Sequence, residues 1–428
     1  MLVVLVRLGS AVWARRSVLA VVLVGAAIIP GRAAVVAASN CTKPTCGQGV
    51  TVARWTQPLT GSWVAQGGAL GTALSAGEAY AAAGDGVAAV GFGSTISAYR
   101  LSDGTPLWTA ALAGFRPGAS VVSVRAWPGV VTVGVAGPSV AGRVPSQHVV
   151  VLSAATGQRI RAYRAAPYGG AIAATKARTV IVGKTAVTSY ANATGKVIWR
   201  QATGPVAQAW RVDGGDVFVT VAKGGYLGSS PVTALRRISL RSGAQTILRP
   251  AGGTFTGQLS AVTGGAVLFS GSSGLTAYSQ ATGRQLWQHG GVVPQAVDAI
   301  AQRLYVVGGT ALIGLDPQTG KVVSRSATPG AAGLYAVSDG VALGLDEGAL
   351  GDAWGYDLHS KRVIWTAKSV PWPHFFVDLS GIGGSVASSG DSILLAACAR
   401  LGSAERSGTA PPCTKPELVA ITPRDSGG

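Results

Sequence analysis

The sequence predicts an all-β fold, an eight-bladed β-propeller built from four-stranded antiparallel blades. One motif recurs along the chain: a small-residue turn containing Gly leads into a strand with Trp, or a replacement for Trp, at nearly the same offset. Copies of this position lie about 37 to 53 residues apart, which is the size of one propeller blade. The eight positions are Trp55, Trp108, Arg161, Trp199, Ile247, Trp287, Ser324 and Trp365.

Each repeat has the residue pattern of short strands joined by tight turns. In the clearest copy, Ala277–Trp287, the turn Ala281-Thr282-Gly283 separates two apolar segments. Gly fits such a turn because a tight hairpin needs a residue with positive φ. The strands read as nearly continuous Val, Ala and Leu runs, which is typical of sheets covered on both faces.

The two ends of the repeat array complement each other. Residues Arg54–Leu59 resemble Leu107–Leu112 but have no turn before them. The segment Leu418–Thr422 resembles the strand that should precede such a Trp strand. We therefore expect the N-terminal strand to complete a blade made by C-terminal strands, which closes the ring and leaves no long free sheet edge.

The composition is basic. The chain of 428 residues has 35 Lys and Arg against 17 Asp and Glu, a formal net charge of +18. Residues 1–39 hold four Arg and no acid, which leaves +14 for residues 40–428. No dense Lys/Arg run occurs, so we expect a scattered basic surface and no nucleic-acid partner. The charge favours an anionic partner such as a phospholipid or a wall polymer.

The N-terminus has the pattern of a targeting segment. Arg15 and Arg16 precede the apolar run Ser17–Ile29, and Pro30 with small residues follows. The run is short for a bilayer span, which needs about 20 residues. We assign residues 1–39 as a cleaved signal peptide or a retained membrane anchor, and 40–428 as the propeller. Either reading exports the propeller, whether it is secreted or held at the extracellular side of the cytoplasmic membrane.

Export makes disulfides the expected state of the four cysteines. Cys41 and Cys46 are close in sequence, and Cys398 and Cys413 flank a segment between two apolar strands. These two local pairs are our preferred connectivity, with N-to-C cross-linking as the alternative. Zinc binding by the four thiolates is a poor match because neither pair has finger-like spacing.

The interval Ala367–Pro416 reads as a long insertion, and long loops on rigid scaffolds commonly carry binding groups. It contains the candidate binding surface Trp372, His374, Phe375 and Phe376, whose alternative role is to fold under the insertion and plug the propeller. We expect polar turn or rim roles for the dispersed His148, His289, His359 and His374. The acidic group Asp346, Glu347 and Asp352 is conceivable as a Ca²⁺ site, but a loop role is preferred.

The turn-and-Trp motif resembles the repeat of the PQQ-like β-propeller family, named for pyrroloquinoline quinone. The resemblance covers about residues 50–428 and is carried best by Ala277–Trp287 and Gly314–Gly320. It implies that each Trp docks on the Gly turn of the next blade. The blade-docking residues it implies are Trp55, Trp108, Trp199, Trp287 and Trp365.

The family includes quinone-dependent dehydrogenases and non-enzymatic scaffolds. The resemblance to the dehydrogenases is incomplete, because this chain lacks their adjacent Cys pair. Its two Asn residues, Asn40 in the N-terminal leader and Asn192 in a blade turn, also do not match the Asn ligand of their Ca²⁺ site. We therefore predict no cofactor, no metal and no catalytic residue. The predicted function is a protein-binding or assembly scaffold whose partner is another protein or a cell-envelope component. The alternative is an exported propeller enzyme, namely a quinone-dependent dehydrogenase, a hydrolase or a lyase.

Overall fold

The computed structural model is all-β throughout the part that it describes. The described residues are 50–59, 79–112, 114–115, 119–137, 147–165, 170–183, 185–204, 206–222, 232–271, 273–290, 294–298, 302–308, 311–327, 333–338, 341–345, 353–358, 360–367, 386–389, 392–401 and 413–425. Within them, 32 strands form eight four-stranded antiparallel sheets, each of which is one blade. No helix able to cross a membrane occurs in these ranges.

Seven blades are each built from four consecutive strands. Blade 1 is β2 (Ala79–Gly84), β3 (Val87–Phe92), β4 (Thr95–Arg100) and β5 (Pro106–Ala111); blade 2 is β6 (Ser120–Trp127), β7 (Val130–Ala136), β8 (Gln147–Ser153) and β9 (Arg159–Ala165); blade 3 is β10 (Gly170–Ala174), β11 (Arg178–Val182), β12 (Ala186–Ala191) and β13 (Val197–Ala202). Blade 4 is β14 (Val206–Asp213), β15 (Asp216–Ala222), β16 (Val232–Ser239) and β17 (Gln245–Leu248); blade 5 is β18 (Gln258–Thr263), β19 (Ala266–Gly271), β20 (Gly274–Ser279) and β21 (Gln285–His289). Blade 6 is β22 (Pro294–Asp298), β23 (Arg303–Gly308), β24 (Ala311–Leu315) and β25 (Val322–Ala327); blade 7 is β26 (Gly333–Ser338), β27 (Val341–Leu345), β28 (Ala353–Asp357) and β29 (Arg362–Ala367).

The eighth blade joins the two ends of the described chain. It consists of β30 (Val386–Ser389), β31 (Ser392–Leu401), β32 (Cys413–Asp425) and β1 (Val50–Pro58), in the order β1-β32-β31-β30. β1 pairs antiparallel with β32 along its whole length, and Trp55 lies opposite Ala420. This is the strand pairing that the sequence predicts. Its role in locking the ring stays a prediction.

The hydrophobic core lies between blades. Separate apolar clusters join blade 8 to blade 1 and then each blade to the next as far as blade 7. On the remaining side, β26 contacts β30 and β31. The first strands of neighbouring blades contact each other, so they lie inside the ring and the fourth strands lie outermost. Middle strands such as β3 are buried on both faces, which explains their unbroken apolar runs.

One expectation about the connections is wrong. The interval Ala367–Pro416 is not a single insertion, because β30 and β31 lie inside it and belong to blade 8. The error came from counting strands by their Trp positions. Blade 8 takes its Trp strand from the other end of the chain, so its first strands have no Trp to mark them.

Candidate functional site

The Trp strands hold neighbouring blades together through one repeated contact. The indole N–H of Trp108 donates a hydrogen bond to the carbonyl of Ala154 in the next blade, at 2.7 Å. Trp55 donates in the same way to Leu101 at 2.7 Å, and Trp287 to Pro317 at 2.8 Å. In each case the acceptor lies three residues before the turn Gly of the next blade. The half-buried indoles therefore act as staples between blades.

Glycine is required where the indole ring lies. A Cβ added at Gly157 would fall 2.6 Å from the Trp108 ring, and the φ of Gly157 is +70°. The same approach occurs between Trp55 and Gly104, and between Trp199 and Gly243. A side chain at these turns would meet both a left-handed backbone and the face of an aromatic ring.

Three staples are replaced, each differently. Arg161 takes the Trp position between blades 2 and 3, and its Nε donates to the carbonyl of Asn192 at 3.0 Å. A second guanidinium N–H donates to the carbonyl of Ala193. Between blades 6 and 7, Ser324 replaces Trp, and the turn has Lys361 with a φ of +57°. Between blades 4 and 5, where Ile247 stands for Trp, the backbone of Arg249 lies close to Gly283.

Asn192 organises the turn that receives Arg161. Its side chain is fully buried. Its Oδ1 accepts hydrogen bonds at 2.8 Å from the hydroxyls of Tyr163 and Thr179, and its Nδ2 donates to the carbonyl of Thr175 at 2.8 Å. Burial raises the pKa of the Tyr163 phenol, so that group stays a neutral donor. The sequence placed Asn192 in a turn but did not indicate this network.

The exposed aliphatic side chains follow a pattern that the sequence analysis missed. Every large hydrophobic residue found exposed in the described part of the chain lies on the fourth, outermost strand of a blade. They are Leu107, Val197, Ile198, Ile247, Leu286, Val322 and Val323. Most of them sit one or two residues before the Trp position of their repeat. The staple residue turns inward at this point, and its neighbours face solvent.

The positive charge is concentrated, and the expectation of a scattered basic surface is wrong. Residues 104–212 have 12 Lys and Arg and no Asp or Glu, so they hold most of the +18 net charge. We call this stretch the basic sector; it runs from β5 of blade 1 through blades 2 and 3 to β14 of blade 4. Its cations are Arg116, Arg125, Arg143, Arg159, Arg161, Arg164, Lys176, Arg178, Lys184, Lys196, Arg200 and Arg211. Apart from it and residues 1–39, the chain is nearly neutral.

Two cations elsewhere in the ring form ion pairs with acidic residues. Arg100 pairs with Asp103 at 2.9 Å in blade 1, and Arg237 pairs with Asp216 at 2.6 Å in blade 4. The basic sector contains no carboxylate that could do the same. The exposed cations of the sector therefore give the ring a strong charge asymmetry.

At the inner end of the sector, the Arg125 side chain lies between two indoles. Its guanidinium carbon is 5.0 Å from the centre of the Trp210 ring and 6.0 Å from that of Trp127. Ser123 and Thr132 also line this small cleft, and Thr132 accepts a hydrogen bond from the Trp127 indole at 3.0 Å. The contact with Trp210 joins β6 of blade 2 to β14 of blade 4, whereas Trp127 lies on the same strand as Arg125.

The other candidate residues fall in three groups. Trp372, His374, Phe375, Phe376, His359, Cys41, Cys46 and the acidic group at 346–352 lie outside the described residues, as does the side chain of Trp365. Cys398 and Cys413 lie on adjacent strands, opposite Pro416 and Leu401; their side chains lie outside the described ones, so their pairing stays a prediction.

His289 and His148 have structural neighbours. The ring of His289 is 2.8 Å from the Gly320 carbonyl and lies beside Trp287, and His148 lies beside Phe115. No group of three or more His, Cys, Asp or Glu able to hold a metal occurs in the described ranges. What the geometry offers is surfaces for binding, formed by edge aliphatics and by a basic sector.

The sequence profile of one family matches the chain over residues 145–309, 238–343 and 272–396. This PQQ-like family is described as outer membrane protein assembly factor BamB. Together the matches run from residue 145 to residue 396, more than half of the chain. The chain belongs to this family. The family is of a protein-assembly scaffold type, associated with the cell envelope and interacting with other proteins.

Similarity to solved structures is found at low identity. The C-terminal WD40 domain of Sif2 is 10% identical with a TM-score of 0.51, over 80% of this chain and 96% of that one. BamB from Moraxella catarrhalis is 15% identical with a TM-score of 0.41, over 74% and 95%. The quinohemoprotein alcohol dehydrogenase ADHIIG from Pseudomonas putida HK5 is 13% identical with a TM-score of 0.47, over 82% and 76%. No curated protein matches the chain significantly.

Proposed function

We propose that this protein is an exported, non-catalytic propeller that binds another protein as an assembly scaffold at the outer face of the cytoplasmic membrane. Its membership of the family supports the scaffold role. The observation that carries the proposal is the placement of the exposed aliphatic residues on outermost strands, where each strand has one unpaired edge. Exposed apolar side chains beside a free strand edge offer a partner both hydrophobic contact and backbone hydrogen bonds.

The ring suits this work because the staples make the blades rigid. A rigid surface loses little conformational entropy when a partner binds. The side chains of Leu286 and Val323 are 42% and 48% exposed, so a partner would bury surface that the ring itself leaves in water. Their contribution to binding would come at little cost to the stability of the free protein.

Site-specific photo-crosslinking tests the proposal. A photo-reactive amino acid at Leu286 or Val323 should give a protein adduct of one discrete mass in intact cells. The matched control is Gln158, an exposed polar residue at the turn before an outermost strand. Val323→Glu should reduce the adduct captured at Leu286 if one partner spans both blades, with the melting temperature unchanged. Equal labelling at Gln158, or no protein adduct at any outer-strand position, would reject the scaffold.

We also propose Trp372, His374, Phe375 and Phe376 as part of the recognition surface. Pro371 and Pro373 restrict the backbone on both sides of Trp372, so the rings are presented at low entropic cost. Trp372→Ala and Phe375→Ala should lower partner capture while leaving the unfolding midpoint in place. If both variants fail to fold, the segment is core and this surface is wrong.

Location and lack of catalysis have tests of their own. N-terminal sequencing of the protein recovered from membrane and culture fractions distinguishes a cleaved signal from a retained anchor. A protein that remains in the cytoplasm would reject export. Adding pyrroloquinoline quinone and Ca²⁺ should produce no dye-linked dehydrogenase activity, and turnover would restore the enzyme reading.

A further inference from the structure

We propose that the basic sector lies against an anionic phospholipid surface, with its exposed Lys and Arg side chains binding acidic headgroups. The inference rests on the proposed location at the membrane, but not on the protein partner. Residues 104–212 hold twelve cations and no acid, while the rest of the ring is nearly neutral. The ring therefore presents one strongly positive side to a negative surface, and its orientation is set by that asymmetry.

The cations of the sector divide into those that bind the protein itself and those that face solvent. Arg161 donates to the turn of blade 3, and Arg178 donates to the carbonyl of Arg241 at 2.9 Å. Five others are exposed, and they are Arg159, Arg164, Lys176, Lys196 and Arg200. Four of the five lie on or beside β9 and β13, the outermost strands of two neighbouring blades. They therefore lie together on one part of the rim.

Aliphatic side chains accompany these cations. Val197 and Ile198 are 53% and 50% exposed, and they lie between Lys196 and Arg200 in sequence. A bilayer interface offers a place for both types of group, because aliphatic side chains enter the headgroup boundary while Lys and Arg pair with phosphates. A water-soluble anionic polymer would engage the cations and leave the aliphatic pair in water. The combination favours the bilayer.

This orientation also leaves the opposite side of the ring available. Leu286, Val322 and Val323 are on blades 5 and 6, away from blades 2 and 3. A propeller held to lipid by the basic sector would present these outer strands to a protein partner. Membrane contact and partner contact would then use different blades.

Vesicle co-sedimentation of the full chain tests the proposal. The sector variant is Arg164→Gln with Lys196→Gln and Arg200→Gln, at three exposed positions. The matched control is Arg284→Gln with Arg303→Gln and Arg325→Gln, exposed positions on blades 5 and 6 that remove the same net charge. On vesicles of phosphatidylcholine with phosphatidylglycerol, the sector variant should bind roughly 100-fold more weakly than the wild type, and the control should retain most of its binding.

The same N-terminal segment is present in all three proteins, so any binding that it causes cancels in the comparison. Pure phosphatidylcholine vesicles should not distinguish them, and added salt should weaken only the sector-dependent part. Lys176→Glu, on a turn of blade 3, provides a second variant should the triple fail to fold. Equal losses in sector variant and control, or no loss in either, would overturn the proposal.

Two further outcomes distinguish binding to a bilayer from binding to a soluble polyanion and from the scaffold function. If the sector variant loses binding to heparin while its vesicle binding is unchanged, the sector serves a soluble polyanion and the bilayer proposal is wrong. Vesicle binding requires no protein partner, so its failure leaves the crosslinking result at Leu286 standing. Loss of the crosslink with intact vesicle binding would instead reject the scaffold and keep the membrane surface.

Discussion

Replacing Gly157 by Ala should cost far more stability than the same replacement at Gly195. Both glycines close the turn before an outermost strand, and their φ angles are nearly equal at +70° and +73°. They differ in what a new Cβ would meet. At Gly157 it would lie 2.6 Å from the Trp108 ring, whereas at Gly195 the nearest atom of the Arg161 side chain is 3.8 Å away.

The structure sets the two magnitudes. A left-handed backbone costs an Ala residue roughly 1–2 kcal/mol, which applies equally at both turns. Overpacking against the rigid indole adds about 1–3 kcal/mol at Gly157 alone. The flexible guanidinium at Gly195 adds nothing, because 3.8 Å is ordinary van der Waals contact. We expect about 1–2 kcal/mol for Gly195→Ala and about 2–5 kcal/mol for Gly157→Ala.

Urea unfolding of the two variants measures these costs, and a double-mutant cycle with Trp108→Ala assigns their cause. Once the indole is removed, Gly157→Ala should cost no more than Gly195→Ala. Equal costs at the two glycines in the wild-type background would refute the staple, as would a full Gly157 cost that survives the loss of Trp108.

Deleting residues 420–428 should lower the melting temperature of the whole ring, because β1 loses much of its paired strand; an unaltered melting temperature would show that this pairing does not lock the ring. Asn192→Leu should cost about 2–4 kcal/mol in urea unfolding, since it removes the buried amide oxygen that accepts hydrogen bonds from the Tyr163 and Thr179 hydroxyls, and a cost near zero would mean that the network is not needed. Non-reducing peptide mapping should link the cysteines in their two local pairs; a bridge between the N-terminal and C-terminal pairs would replace that connectivity with a ring lock, and four free thiols would exclude both. Stability should be full below about pH 10 and fall as the pH rises further, because the unfolded phenols ionise first while burial raises the pKa in the folded state; a flat melting temperature across that range would contradict it. The tyrosines concerned are Tyr99, Tyr163 and Tyr356.

The fold was predictable because several copies of the repeat each indicate one blade. The Trp positions and the turn glycines gave the number of blades, and the unmatched ends gave the pairing of Trp55 with a C-terminal strand, seen opposite Ala420. The prediction of strands was wrong where a repeat has no Trp at its expected position. The strands β30 and β31 carry no Trp, so the sequence analysis placed them in an insertion and did not assign them to a blade, although it recognised an apolar strand before Cys398.

Each staple consists of the residue at the Trp position of one blade and the turn residue of the next blade. One copy of the motif therefore does not show whether a staple forms. Where Ser324 replaces the Trp, the facing turn has Lys361 in place of Gly. Where Arg161 replaces it, Gly195 remains and the guanidinium takes over the hydrogen bond of the indole. A Trp at position 324 would meet the side chain of Lys361, whereas loss of the Trp does not require loss of the Gly, because Gly283 remains in the turn opposite Ile247. Reading the motif as a pair would have identified Arg161 as a staple.

The candidate surfaces were missed because the sequence was searched for local runs. Arg164, Lys196 and Arg200 are far enough apart to form no cluster in the chain, yet β9 and β13 place them on neighbouring rims. The informative signal was the absence of Asp and Glu over more than a hundred residues. It indicates a basic surface only because the structure shows that this stretch includes two adjacent blades. In a propeller, residues one repeat apart in the sequence lie on neighbouring blades. The charge of a surface is therefore found by summing the charges of each blade. When the charge is summed by blade, most of it lies on one side of the ring, and the vesicle-binding variants test whether that side contacts the membrane.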